Sequence, residues 1–427
     1  MFLTAYNLAW AMAIPFLACS ARLRQGWKDR LCISAKAKGA DVWIQAASAG
    51  EAYLASQLAH KCIEERKLSL FVTSSTAQGL EIFRNSALGR GPLSRDCVAG
   101  SGYFPFDMPL IAGKALAAIS PLVLVVMETE LWPGLFAESK RRGIPVIVLN
   151  GRLSERSLRG HLRLARFWRQ HGPARILAVS STDASRFATL FPNSSVDIMK
   201  NMKFDRIQFD LRHPREPVFE FAIAEGSPFI VMGSIRKEEE ADILETITTL
   251  LDKRPDAVVA LFPRHMHRIR HWTRMLGSAG VSFELRSKIG KRIVPAPRVI
   301  LWDVFGELIQ AYSVADAVFV GGTLRPCGGQ NFLEPLASGI VPCIGPYWDN
   351  FVWIGREIVQ QGLVKEVRNS KELATALLHA IDQGRDRQET VDRAAVYIRQ
   401  RQGGTEQAWE EIKRWVFKQR GGMKNSI

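Results

Sequence analysis

Acids, paired thiols and charge near the N-terminus are what this sequence lacks. Asp and Glu number 42 against 57 Lys and Arg, for a net charge of +15 and a pI near 9.8. Such a surplus suits an anionic partner, whether nucleic acid, anionic lipid or a phosphorylated substrate, and by itself does not choose among them. The six cysteines, Cys19, Cys32, Cys62, Cys97, Cys327 and Cys343, include no CxxC pair and no zinc-like spacing. A chain of this length needs no disulfide framework, so reduced thiols in a cytosolic compartment are the plain reading. There is no repeat at a fixed short period and no low-complexity tract. With 47% apolar and 23% charged residues the chain is of ordinary globular composition. Its 427 residues exceed what one hydrophobic core usually supports, so two domains are expected.

From Phe2 to Ser20 there is no charged residue, and a basic cluster, Arg22, Arg24, Lys28 and Arg30, follows at once. A cleaved signal peptide carries its positive charge before the apolar run. Basic residues after the run place the rest of the chain on the cytoplasmic side. The expectation is an uncleaved anchor, residues 1–24, that spans the bilayer or lies in its interface. The run is barely long enough to span, and Pro15 interrupts it. A buried first helix is the alternative.

Short branched apolar runs then alternate with helix-length stretches: 42–47, 70–73, 122–127, 146–149 and 176–179, and again 229–232, 257–262, 299–301, 317–320 and 341–344. Strands buried on both faces with crossover helices give this pattern. The fold class expected is α/β, two Rossmann-like domains facing across a cleft. The first covers residues 25–205 and the second 229–401. A polar linker with Pro214, Pro217 and Pro228 covers 206–228, and a C-terminal helix with a basic tail covers 402–427. Ligands of such sheets bind beyond the strand carboxyl ends.

The unusual residues lie there. Glu51 follows a strand and a small-residue turn, at a helix start whose dipole favours an ionised carboxylate; a capping acid without chemistry is the alternative. Glu128 and Glu130 follow the apolar run at 122–127 and, on extended chain, share a face. Arg152, Arg156, Arg159, Arg163 and Arg166 recur at helical steps with few acids among them, beside Leu158, Leu162 and Trp168. One helix would carry them as a stripe for phosphates or an anionic membrane. In the second half Pro263-Arg264 ends a strand before a helical stretch, a seat for phosphate. His265, His267 and His271 lack further ligands for zinc, and no His or Asp completes a metal set around Glu128 and Glu130, so no metal is expected. Gly321-Gly322-Thr323 through Gly328-Gly329-Gln330-Asn331-Phe332-Leu333-Glu334 is the densest signal. Its glycines admit close backbone approach, and Glu334 can accept hydrogen bonds from a ribose diol. It is neither the GxGxxG fingerprint nor a P-loop, so neither NAD nor ATP is implied.

Taken together, AASAGE at 46–51, METELWP at 127–133, GRLSERS at 151–157, NMKFD at 201–205, PRH at 263–265, GELIQAYSVADAVFVGG at 306–322 and GGQNFLEP at 328–335 resemble, in order, the 3-deoxy-D-manno-octulosonic acid (Kdo) transferases of lipid A biosynthesis. The resemblance implies a GT-B fold and an inverting, metal-independent transfer without a cofactor. The implied donor is CMP-Kdo, and the implied acceptor the phosphorylated acylated glucosamine disaccharide precursor of lipid A, at the cytoplasmic side of the inner membrane. Nucleic acid has no part in it. Carried over by motif, the general base falls on Glu51, and the transition-state-stabilising acid and lysine on Glu128 and Lys203. CMP contacts fall on Pro263, Arg264, Phe305, Gly306, Glu307, Asn331, Phe332, Leu333 and Glu334. Glu130, Arg152, Ser154, Arg156, Arg159 and Arg163 are candidates for the acceptor. The sequence departs from the family pattern at Lys200, Phe305, Gln330 and Phe332 and within the segment 233–240. A nucleotide-sugar epimerase on the same fold and a non-catalytic basic membrane-binding protein are the rival readings.

Overall fold

The computed structural model describes residues 2–32, 39–65, 68–88, 97–207, 222–224, 226–290, 293–295, 298–384 and 386–424. Most of the linker expected at 206–228 lies outside the described residues, as does the end of the basic tail. The chain divides into two compact units, Met1–Arg206 with Arg401–Ile427, and Ile207–Gln400.

The first unit is built on strands β1 (Val42–Gln45), β2 (Leu70–Ser74), β3 (Val98–Tyr103), β4 (Val123–Met127), β5 (Val146–Gly151), β6 (Arg175–Ala178) and β7 (Ser195–Ile198). They form one parallel sheet in the order β3-β2-β1-β4-β5-β6-β7. Every residue of β1, β4 and β5 is buried, because helices cover both faces and leave two apolar cores. The order reverses between β1 and β4, which pair directly. Glu51 and Glu128 follow these two strands. The helix carrying Glu51 opens at Ala49, two residues earlier than the sequence suggests.

The second unit repeats the plan with β8 (Phe229–Ile235), β9 (Val258–Pro263), β10 (Phe283–Leu285), β11 (Arg298–Leu301), β12 (Ala317–Val320), β13 (Cys343–Ile344) and β14 (Lys365–Glu366). The parallel order is β10-β11-β9-β8-β12-β13-β14. It reverses between β8 and β12, whose carboxyl ends lead into Arg236 and into Gly321-Gly322.

The expected spanning anchor is not supported. No helix among the described residues is long and apolar enough to cross a membrane. The N-terminal helix, Phe2–Leu17, has 16 residues, about 24 Å at 1.5 Å per residue, short of the hydrocarbon core of a bilayer. It lies along the first unit instead. Phe2 packs on Phe167, Trp10 packs on Phe106, and the Tyr6 hydroxyl donates to Asp107 at 2.8 Å.

The C-terminal helix, Gly404–Lys424, belongs to the first unit. Ala408, Trp409, Ile412 and Val416 are fully buried in that unit's core. Asp205 caps the helix, accepting from the backbone N–H groups of Gly403 and Thr405 at 2.6 Å each. Trp409 also donates its indole N–H to Glu65 at 2.7 Å. Trp409→Ala leaves a large cavity and should lower the unfolding free energy of the first unit by about 3–5 kcal/mol in urea titrations. An unchanged midpoint would mean the helix is not integral to that core.

Candidate active site

The turn after β1 folds back on its own acid. The Glu51 carboxylate accepts from the Ala47 backbone N–H at 2.8 Å and from the Ser48 hydroxyl at 2.9 Å. The side chain is only 6% exposed. Burial first, then the charges of Glu130 and Glu128, push its pKa up to about 8, against the two hydrogen bonds, which pull it down. Desolvation and two neighbouring acids thus oppose the dipole, which favours the ionised state. Glu130, also pushed up, chiefly by burial, accepts from the Trp132 indole N–H at 2.8 Å.

Glu128 takes a backbone φ of 53°, rare for a residue with a side chain, so the strand ends abruptly there. Its carboxylate meets the Lys203 ammonium at 2.6 Å. Lys203 sits on a short 3-10 turn, Met202–Arg206. That turn is held from both sides: the Met202 N–H donates to Asn150, and Asp205 caps the C-terminal helix. The site of the first unit thus gathers Glu51, Glu128, Glu130 and Lys203 from three separate stretches of chain.

The arginines are arranged differently from the expected single stripe. One helix covers Glu155–Leu162 and a second Ala165–His171, with a break at Arg163 and Leu164. Arg156, Arg159, Arg163 and Arg166 remain exposed. The apolar side is split: Leu158 and Trp168 are buried while Leu162 stays 37% exposed. Arg159 pairs with Glu155 at 3.2 Å. Ser154 is the N-cap, accepting from the Ser157 N–H at 3.1 Å, so its hydroxyl has a structural partner. Arg152 is half-buried, and its carbonyl accepts from the Thr129 hydroxyl.

In the second unit Pro263 closes β9, and Arg264 stands exposed after it, its backbone N–H tied to the Ile235 carbonyl at 2.8 Å. His265 is held below its usual pKa by desolvation and then by Arg236, His267 and Arg264, so several cationic groups converge beside this turn. Phe305 is 79% exposed, next to Gly306 at φ 89°. Glu307 is already engaged, by Arg286 at 2.9 Å and by the Trp302 indole N–H at 2.9 Å. Asn331 donates to Glu334 at 2.8 Å, and burial raises the Glu334 pKa. Phe332 is fully buried against Trp348 and Phe351, so its side chain is core; Leu333 is likewise buried. His271 lies 3.3 Å from Glu240, and His265 and His267 stack on each other. Glu65, Glu406 and Glu410 come close enough to share a cation, but Lys413 already reaches Glu65 at 3.0 Å and Glu410 at 2.7 Å.

One residue escaped the sequence reading. Glu239 is completely buried. Its carboxylate accepts from the backbone N–H groups of Arg236 at 2.9 Å, Gly322 at 2.5 Å and Leu324 at 3.4 Å. A Cβ on Gly321 would lie 2.6 Å from the same carboxylate, so the glycine there makes room for an internal acid as well as for a ligand. The run Glu238-Glu239-Glu240 was a visible signal, but which of the three turns inward depends on the loop after β12.

The model of the family described as 3-deoxy-D-manno-octulosonic-acid transferase (kdotransferase) matches residues 25–206. Over 389 residues the chain is 29% identical to a 3-deoxy-D-manno-octulosonic acid transferase of Bordetella pertussis, covering 88% of each. Over 365 residues it is 29% identical to that of Haemophilus influenzae, covering 84% of this chain and 82% of the relative. Among solved structures, a glycosyltransferase of Rickettsia africae superposes with a TM-score of 0.56 at 11% identity, over 88% of this chain and 98% of the other. An Anabaena protein crystallised with UDP gives 0.52 at 10% identity, over 91% and 100%. These likenesses show a GT-B-like fold.

Two outcomes are expected. Glu51 titrates near 4.5 when unperturbed and near 8 in the folded protein. Between these values the folded protein keeps a proton that the unfolded chain has lost, so the stability contributed by this site falls as pH rises through that window. Glu51→Gln should therefore melt no lower than the wild type at pH 8 and above, and a clear drop in melting temperature there would refute the burial argument. Glu239→Ala strands buried N–H groups and should destabilise the second unit by roughly 2–3 kcal/mol in denaturant titration. An unchanged unfolding curve would show that the loop does not depend on it.

Proposed function

We propose, from the premise that the chain belongs to the 3-deoxy-D-manno-octulosonic acid (Kdo) transferase family, that this Kdo-transferring glycosyltransferase of lipopolysaccharide biosynthesis uses CMP-Kdo as donor. Its acceptor is the phosphorylated, acylated glucosamine disaccharide precursor of lipid A. The observation that carries the mechanism is Glu51, buried at the switch point of the first sheet and pushed up to about 8. A base of that strength is matched to taking a proton near neutrality.

In this mechanism the acceptor hydroxyl loses its proton to Glu51 as its oxygen bonds to the anomeric carbon. The bond from that carbon to the CMP phosphate breaks on the opposite side, which inverts the centre. Glu128, kept in place by Lys203, faces the positive charge that develops on the sugar. Arg264 and its cationic neighbours meet the charge that grows on the leaving phosphate. No metal is required, since Lys203 already neutralises Glu128. A chelator should leave turnover intact, and chelation-sensitive turnover restored by a divalent ion would revive a metal mechanism.

The protein works at the cytoplasmic face of the inner membrane, and the support for this is the N-terminal helix. Its Phe2-Tyr6-Trp10 side packs on the first unit. Leu8, Met12 and Phe16, 60%, 67% and 79% exposed, form a charge-free outer side. Such a helix lies in an interface rather than across it. The exposed arginines at 156, 159, 163 and 166 add attraction to anionic headgroups or to the acceptor's phosphates.

Incubation of purified protein with CMP-Kdo and the lipid A precursor should give a product heavier by one or more Kdo units. An unchanged acceptor mass would reject the donor or the acceptor. Glu51→Gln should keep CMP affinity while losing turnover. Arg156→Gln with Arg163→Gln should weaken sedimentation with anionic vesicles by roughly thirtyfold, at about 1 kcal/mol per basic residue. The effect should shrink in high salt. Wild-type sedimentation of this double variant at low salt would reduce the arginines to a solvated surface.

A further inference from the structure

We infer that Asn150 and Asn201 form a carboxylate seat beside the Glu128–Lys203 pair. The inference rests on the Kdo-transfer reading above. β4 and β5 are paired neighbours, with Met127 opposite Leu149, so Glu128 and Asn150 leave the sheet side by side. Both have left-handed backbones, φ 53° and 55°. Non-glycine residues adopt this conformation at a cost, and it concentrates where geometry serves a site. Asn150 is fully buried, and its Oδ1 accepts from the Met202 N–H at 2.9 Å. Asn201 is 6% exposed, and its Oδ1 accepts from the Lys203 N–H at 3.0 Å.

These backbone donors fix which way each amide points. The atoms left over are the two Nδ2 groups, both buried and both without a hydrogen-bond partner. A buried N–H that finds no acceptor is expensive to keep. Here both belong to amides bonded to the turn that carries Lys203, whose ammonium is 2.6 Å from Glu128. The missing group must offer acceptors to both amides and suit a nearby cation. A hydroxyl can accept from both amides but carries no charge to answer the lysine. A carboxylate accepts from both amides and remains close to the Lys203 ammonium. The sugar acid named by the family carries one on its anomeric carbon. This seat would make the enzyme select acidic sugars over neutral ones. The carboxylate is that of the sugar being transferred or of one already attached to the acceptor.

Asn150→Asp and Asn201→Asp keep the shape and the Oδ1 acceptor, and replace the donating NH₂ with a repelling oxygen. With CMP-Kdo the variants should raise the donor KM at least tenfold if the seat holds the transferred sugar. If it holds a sugar already in place, the KM for a Kdo-bearing acceptor rises instead while that for the bare acceptor does not. A second donor, with the carboxylate converted to a carboxamide, separates recognition from structural damage. The wild type should prefer the acid by at least tenfold, and the variants should lose or reverse that preference, because a carboxamide can donate to the new aspartate. Melting temperature and CMP affinity serve as controls, and Asn201→Asp carries the test alone if Asn150→Asp does not fold. Folded variants that keep the wild-type preference within about twofold overturn the seat. A wild type that transfers no Kdo overturns the reading of function and the seat with it.

Discussion

Burial of the sheet on both faces is the constraint from which the rest follows. β1, β4 and β5 contain no exposed residue, so a charged side chain has no place along them without an unpaid desolvation. Chemistry is confined to the loops at the strand ends. Of these, the ends of β1 and β4 are special, because the chain order reverses there and the crossover helices diverge. Glu51 and Glu128 occupy those two positions. The second unit follows the same rule, with Arg236 and the paired glycines at the ends of β8 and β12.

Placing three acids in one small region has electrostatic consequences. Only Glu128 has a cation at contact distance. Glu51 and Glu130 have neutral hydrogen-bond donors, the Ser48 hydroxyl and the Trp132 indole. Such donors do not offset desolvation together with like charge, so both carboxyls hold their protons above the usual range. The same arrangement that separates a stabilising acid from a proton-accepting one arises from which of them meets Lys203. Lys203 in turn is set by the C-terminal helix, through the cap at Asp205.

The helix after METELW is tied to the N-terminal helix by a single buried acid. Asp107 accepts from the backbone N–H groups of Gly134 and Leu135 and from the Tyr6 hydroxyl. The segment bearing Glu128 and Glu130 and the helix with the exposed apolar side are therefore parts of one hydrogen-bonded assembly.

The sequence by itself determined the α/β class, the two-sheet plan and the strands buried on both faces, because continuous branched runs bounded by Gly, Pro or Ser leave little else to fold into. It also marked Glu51, Glu128, Lys203 and Arg264 through motifs that lie at strand ends. It did not mark β3, whose Val98-Ala99-Gly100-Ser101-Gly102-Tyr103 run is broken by glycines, nor β7, an edge strand with mostly exposed side chains. These pair only because neighbouring strands offer partners. Only tertiary structure decided that the arginines fall on two helices, that Phe332 is core, and that Glu239 turns inward under the glycine-rich loop. It alone decided that the C-terminal helix returns to the first unit and that burial and like charge raise the Glu51 pKa. Each of these depends on which distant groups remove water from a side chain or supply its hydrogen bonds, and periodicity along the chain carries no record of that.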